Sequence, residues 1–235
     1  PGSPNIYYIF SIAVTSTVTF PHLEYHLIDM SLAGGQGSVV ARNVVVGTQT
    51  CASNKLTGSY HCNGTDMWIV VHSQTGNSFF AYLLTSAGLN TVAVVSNAGT
   101  NHPVDYFGPM RISNSGNKLA LTIDANSSTL NRGVELLDFN SSTGFLTNPI
   151  SLFSEPTGNS FMGIDFSSDN SKLYVSGNSG NSIHQWDLCA GNSSAIIASH
   201  YILNLPLPGL NQGLKLAPDG KIYVTSNGGG PSYSN

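Results

Sequence analysis

An all-β chain, folded as a β-propeller of four-stranded antiparallel blades, is what this sequence predicts, and three observations predict it. Short apolar runs with period-two alternation are separated throughout by Ser/Asp/Asn/Gly clusters, the pattern of antiparallel strands joined by tight turns. A turn-plus-strand unit recurs at near-constant spacing. A later strand of most units ends on an apolar-Asp-apolar triplet.

The clearest unit is residues 161–191, in which apolar runs at 162–166, 172–176 and 183–188 alternate with polar turns. Its segment SDNSKLYV (168–175) reappears as APDGKIYV (217–224) and NSGNKLAL (114–121), and more loosely as NGTDMWIV (63–70). The matched positions Asp66, Lys118, Lys172 and Lys221 stand 52, 54 and 49 residues apart. A period near fifty is the size of one propeller blade.

The triplets are Ile28-Asp29-Met30, Leu137-Asp138-Phe139 and Trp186-Asp187-Leu188, each followed by a small-residue turn. Outer strands are expected at 39–46, 92–95, 150–153 and 196–203. The resulting blades span residues 6–50, 51–103, 104–157, 158–207 and a partial 208–235. Four to five blades make an incomplete ring, and an open ring leaves its end blades bare. The expectation is therefore that further residues precede Pro1 and follow Asn235. A β-sandwich, the structural alternative, gives no reason for a constant repeat.

At 235 residues the chain can bury a sizeable core. Only 9% of it is charged, so Ser, Thr, Asn and Gly must supply most of the wetted surface. The net charge is −4 and the eight Lys and Arg are scattered, which speaks against nucleic acid as a partner. No apolar run is long enough for a membrane helix, so membrane insertion is not expected.

Three cysteines, Cys51, Cys62 and Cys189, form no CxxC pair and have no His at ligand spacing. A disulfide between Cys51 and Cys62 fits if the chain doubles back between them, and free buried thiols fit as well. His22 and His26 are four apart, but on a strand that separation is too great for one tetrahedral ion. No metal site and no cofactor motif is expected. No GxSxG is present, and His61 and Cys62, as strand neighbours, should point to opposite faces.

The most informative column lies in the innermost strands. Aligning Met110-Arg111-Ile112, Ile164-Asp165-Phe166 and Leu214-Lys215-Leu216 places Arg111, Asp165 and Lys215 at one equivalent position, where the earlier unit has Ser59. Two readings follow: inter-blade ion pairs, since a buried charge must be paired, or a polar ring at the channel that holds an anionic or sugar ligand. Trp68, Tyr174, Trp186 and Tyr223 fall on repeat strands and are expected to pack between blades. Asn63, Asn126, Asn140 and Asn192 head N-x-S/T triplets, frequent by chance in so Asn/Ser-rich a chain.

The segments PGSPNIYYIF (1–10), LIDMS (27–31), HCNGTDMWIV (61–70), FAYLLTSAG (80–88) and DFSSDNSKLYVSG (165–177) resemble the N-terminal propeller region of secreted Bacteroidota surface proteins, with WD40-like or lactonase-like blades. That family carries a C-terminal type IX secretion sorting domain, often labelled gliding-motility-associated. The resemblance implies export, display at the cell surface, and partners among surface or secretion-system proteins or glycans. It implies no defined reaction. The expected function is thus a non-enzymatic binding or structural module, making its contacts through blade loops. Two alternatives stand beside it. One is a metal-dependent lactonase or hydrolase, with Asp105, Asp124 and Asp165 as candidate ligands, and the other is a purely architectural subunit of a filament or secretion-linked complex.

Overall fold

The computed structural model describes residues 2–13, 21–102, 105–125, 132–155, 161–177, 182–204 and 211–226. They form five antiparallel sheets in chain order. The first holds β1 (Ile6–Ala13), β2 (His22–Asp29) and β3 (Ser38–Val45). The second holds β4 (Cys51–Tyr60), β5 (Met67–Ser73), β6 (Gly76–Thr85), the short β7 (Gly88–Leu89) and β8 (Val94–His102). The third holds β9 (Asp105–Phe107), β10 (Met110–Ile112), β11 (Lys118–Ala125), β12 (Arg132–Phe139) and β13 (Leu146–Glu155). The fourth holds β14 (Phe161–Phe166), β15 (Lys172–Gly177), β16 (Ser182–Asp187) and β17 (Tyr201–Asn204), and the fifth β18 (Asn211–Leu216) with β19 (Ile222–Ser226).

Each sheet is a blade, and successive blades pack face to face. Alternation along the strands explains how one strand serves two interfaces. In β5, Ile69 and Val71 join Leu23, Val46, Phe80 and Tyr82 against the first blade. Their neighbours Trp68 and Val70 turn the other way, onto Met110, Leu119 and Leu121 of the third. In β11, Ala120 in turn faces Phe161, Ile164 and Leu173 of the fourth. Burying each large apolar side chain contributes about 1.5–3 kcal/mol, so a strand apolar on both faces is stable only between two neighbours.

The inner strands β4, β10, β14 and β18 contact one another in succession. The first sheet begins at the second strand of the pattern: β1 packs on β4 as β11 packs on β14 and β15 on β18. Among the described residues, no substantial packing joins the fifth sheet to the first.

One segment departs from expectation. Residues 196–203 read as a continuous outer strand, but the structure forms α1 (Ser193–Ala198) there, leaving only Tyr201–Asn204 as strand. Asn192 decides the difference: its side chain accepts the Ala195 N–H at 2.9 Å and caps the helix, while Ile196 is buried between the third and fourth blades.

Candidate functional site

The strand register places Ser59 opposite Trp68, Arg111 opposite Ala120, Asp165 opposite Tyr174 and Lys215 opposite Tyr223. These four residues therefore occupy one level on four successive inner strands. All four line a single cavity of about 220 Å³, together with Tyr60, Ser113 and Asn114. Arg111 also borders a second cavity of about 230 Å³, walled by Leu56, Met110, Met162 and Ile164.

The charges of the cavity are unequally held. Asp165 is 4% exposed. Its Oδ1 accepts the Phe166 N–H at 3.0 Å, its Oδ2 accepts the Leu216 N–H of the next blade at 2.8 Å, and Arg111 Nε lies 3.5 Å from Oδ1. Arg111 is one-third exposed. Lys215 is exposed, and among the described residues it has no carboxylate partner. Two cations thus face the cavity against one carboxylate whose oxygens are engaged elsewhere, in a chain of net charge −4. Ser113 is spent on its turn, where its Oγ accepts the Lys118 N–H at 3.1 Å. Such a cavity can bind an anion or stabilise negative charge developing on a carbonyl oxygen.

The Cys51–Cys62 disulfide is ruled out. Both are free thiols, because the chain does not double back between them. It runs along β4, bulging between Cys51 and Leu56 but keeping its direction, with Cys51 at one end, buried, and Cys62 just beyond the other, exposed. Cys51 pairs with Ser73 and Tyr60 with Met67, which at a strand's rise puts the two ends of β4 roughly 20 Å apart, whereas a disulfide tolerates Cα atoms only up to about 7 Å apart.

His61 and Cys62 lie beyond the end of β4, so strand alternation does not separate them, and Cys62 Sγ sits 3.8 Å from His61 Nδ1. That nitrogen also accepts the Asn63 N–H at 3.1 Å, and Nε2 meets the Ser142 carbonyl at 3.2 Å. The imidazole is thus committed to its turn rather than to activating the thiol.

Glu24 and His26 are 3.4 Å apart, with the Ser11 hydroxyl donating to Glu24 at 3.2 Å. Among the described residues, no three His, Cys, Asp or Glu side chains could hold an ion. The side chains of Asp105 and Asp124 lie outside the described residues, as does Asn126.

Trp68 and Trp186 are buried between blades, Tyr174 lines another cavity, and Tyr223 is exposed. Asn63, Asn140 and Asn192 each accept backbone N–H groups of the following turn or helix. They are punctuation between strands.

Sequence reasoning passed over Lys55. It is fully buried in β4, and its Nζ donates to the Gly108 carbonyl at 3.2 Å. A single Lys within CASNKLTGSY carries no local signal, since its burial depends on β9 and the Gly108 turn more than fifty residues away.

Compared with solved structures, the chain is similar to the periplasmic gluconolactonase of Pseudomonas aeruginosa, with a TM-score of 0.64 at 14% identity, covering 94% of this chain and 61% of that one. It is also similar to two proteins named as candidate 6-phosphogluconolactonases. The one from Bacteroides fragilis has a TM-score of 0.58 at 7% identity, covering 95% of this chain and 62% of that one. The one from Bacteroides uniformis has a TM-score of 0.58 at 9% identity, covering 94% and 62%. In fold, the chain is a β-propeller. It spans about three-fifths of the length of these lactonases. No protein-family model matches the chain, and no curated protein matches it.

These likenesses overturn the expectation of a non-enzymatic module. The inference from a missing motif to a passive role fails because propellers named as lactonases share this architecture. A channel site draws one residue from each blade, about fifty positions apart, so it leaves no contiguous motif to find.

Proposed function

We propose that the chain builds the catalytic channel of a lactone-hydrolysing propeller that acts on a small sugar lactone. The observation that carries this reading is the convergence of Arg111 and Lys215 on one channel cavity, in a fold shared with a gluconolactonase. In the reaction, water adds to the ring carbonyl and its oxygen becomes an oxyanion. The added water gives up a proton to solvent, collapse breaks the ring C–O bond, the ring oxygen takes a proton back from solvent, and a hydroxy acid leaves.

Arg111, held beside Asp165, and the exposed Lys215 supply donors for the oxyanion, stabilisation that typically accounts for about 10²–10³ in rate for a preorganised donor. Asn114 Nδ2 donates to the Ser167 carbonyl at 3.2 Å and Ser59 Oγ to the Tyr60 carbonyl at 3.4 Å, so Asn114 Oδ1 and Ser59 Oγ offer acceptors to substrate hydroxyls. Asp165 is not assigned as the base, since its oxygens accept two backbone N–H groups and face Arg111. Water attack in this scheme draws on the reactivity of the lactone itself. The exported, surface-displayed setting implied by the sequence resemblance belongs to the same proposal.

The test is base consumption at constant pH with glucono-δ-lactone. The purified protein should hydrolyse it with saturable kinetics above the spontaneous rate, and a rate equal to that of buffer rejects the reading.

A further inference from the structure

We propose that Asp165 is a positioning residue for this reaction, and that its charge serves to hold the Arg111 guanidinium in place. The inference rests on the lactonase reading and adds to it the group that orders the electrophile.

Asp165 Oδ2 links two inner strands by accepting the Leu216 N–H of β18 at 2.8 Å. The preceding pair of blades makes the matching link with a neutral group: Thr57 Oγ1 of β4 accepts the Ile112 N–H of β10 at 3.3 Å. Ile112 and Leu216 each follow the ring residue of their strand, so the two links satisfy equivalent donors, although Thr57 stands two residues before the ring residue Ser59 and Asp165 is itself the ring residue. A hydroxyl suffices for such a donor.

A carboxylate buried where a hydroxyl suffices carries a desolvation cost that must be offset by a nearby positive group. Arg111 is that group. It comes from the third blade, while Asp165 lies in the fourth and Leu216 in the fifth. One carboxylate therefore spans three blades at the level of the cavity.

Contact is through Nε, which leaves the two terminal guanidinium nitrogens without a carboxylate partner among the described residues. Those are the donors that a planar guanidinium presents to an oxyanion or carboxylate. Lys215 has no such anchor among the described residues, so of the two cations it is Arg111 whose position is set by a carboxylate.

The test compares glucono-δ-lactone hydrolysis by the wild-type protein and Asp165→Asn, which keeps the size and an acceptor oxygen but removes the charge. The expected result is a fall in kcat of about 10–100-fold, the scale for a misplaced catalytic group, with KM changed less than about threefold. A variant with wild-type kcat overturns the inference and leaves the lactonase reading standing. A wild-type protein with no activity overturns both.

Added guanidinium gives a second readout that leaves Asp165 intact, so it decides the matter even if Asp165→Asn fails to fold. It should restore part of the activity lost in Arg111→Ala, because the carboxylate still marks the seat. Absence of rescue in a folded Arg111→Ala protein overturns the assignment. Where Asp165→Asn does fold, its double variant with Arg111→Ala should lose no more activity than Arg111→Ala alone. Independent, multiplying losses contradict an action through Arg111.

Discussion

Lys118 and Asp138 face each other across β11 and β12, with Nζ 2.5 Å from Oδ1, and one blade later Lys172 meets Asp187 at 3.0 Å in the same register. The repeated Lys and the Asp of the triplet are thus two halves of one cross-strand pair. Burial pushes the Asp138 carboxyl up, but hydrogen bonds from Lys118 and Asn148, with the charge of Lys118, outweigh it and hold the group below its ordinary value. A depressed carboxyl stabilises the fold above its unfolded value, and the contribution fades as pH falls through the folded one. Lys118→Met should cost about 0.5–1 kcal/mol at neutral pH, since the pair is partly exposed and screened. In urea melts this difference from wild type should shrink below about pH 3; a gap that ignores pH contradicts the pairing.

His184 and His200 are stacked beside Trp186, with Nδ1 of the first 2.9 Å from Nε2 of the second, and the rings of Phe153 and Phe161 close round His184. Burial, and then the neighbouring charge of His200, lower His184 from 6.5 to about 4. The unfolded chain therefore takes up the proton first, and stability is lost as pH falls from about 6.5 towards 4. Part of the ring is solvated, so the loss is on the order of 1 kcal/mol. His184→Phe should show a smaller drop in Tm than wild type between neutral pH and pH 4.5; equal drops count against the assignment.

Thiol labelling separates the three cysteines. Cys62 and Cys189 are exposed, whereas Cys51 is buried and its thiol is pushed up to about 11 by that burial. A thiol reagent should modify two groups in the native protein and the third only on unfolding. One reactive group in the native state, with two released by reductant, restores the rejected disulfide.

Gly144 has φ +77°, and a Cβ there would lie 2.8 Å from the indole of Trp68. That ring cannot retreat freely, being buried and tied through Nε1 to the Ser141 carbonyl at 2.8 Å. Gly144→Ala should cost about 2–4 kcal/mol, combining left-handed strain with overpacking. Gly64→Ala, at φ +73° with open space around it, carries only the backbone part, about 1–2 kcal/mol. Equal destabilisation of the two in chemical melts argues against the packing of Trp68 under this turn.

The blades were legible because a turn-plus-strand unit repeats at a period near fifty, with both members of the Lys–Asp pair recurring in the third and fourth blades, and because strands apolar on both faces need two neighbouring sheets. The common level of Ser59, Arg111, Asp165 and Lys215 was legible for the same reason: equal offsets from a repeated turn give equal registers. Other features depend on distances that local pattern does not encode. Cys51 and Cys62 are close in sequence and far apart in space because one strand, β4, separates them without reversing. The apolar run from Ile196 reads as strand until Asn192 is seen to cap a helix. Lys55 is buried by a turn that lies in another blade. Chemistry was the least legible, because the cavity takes one residue from each of four strands.

Arg111→Ala/Lys215→Ala, assayed against glucono-δ-lactone beside the wild-type protein, tests the location of the chemistry most directly. The double variant should melt below wild type, because buried Asp165 loses its cation, while still giving the wild-type circular dichroism spectrum at the assay temperature, and should lose about 10²-fold or more of kcat/KM. A folded double variant that hydrolyses the lactone at the wild-type rate would place the chemistry outside this cavity and contradict the account.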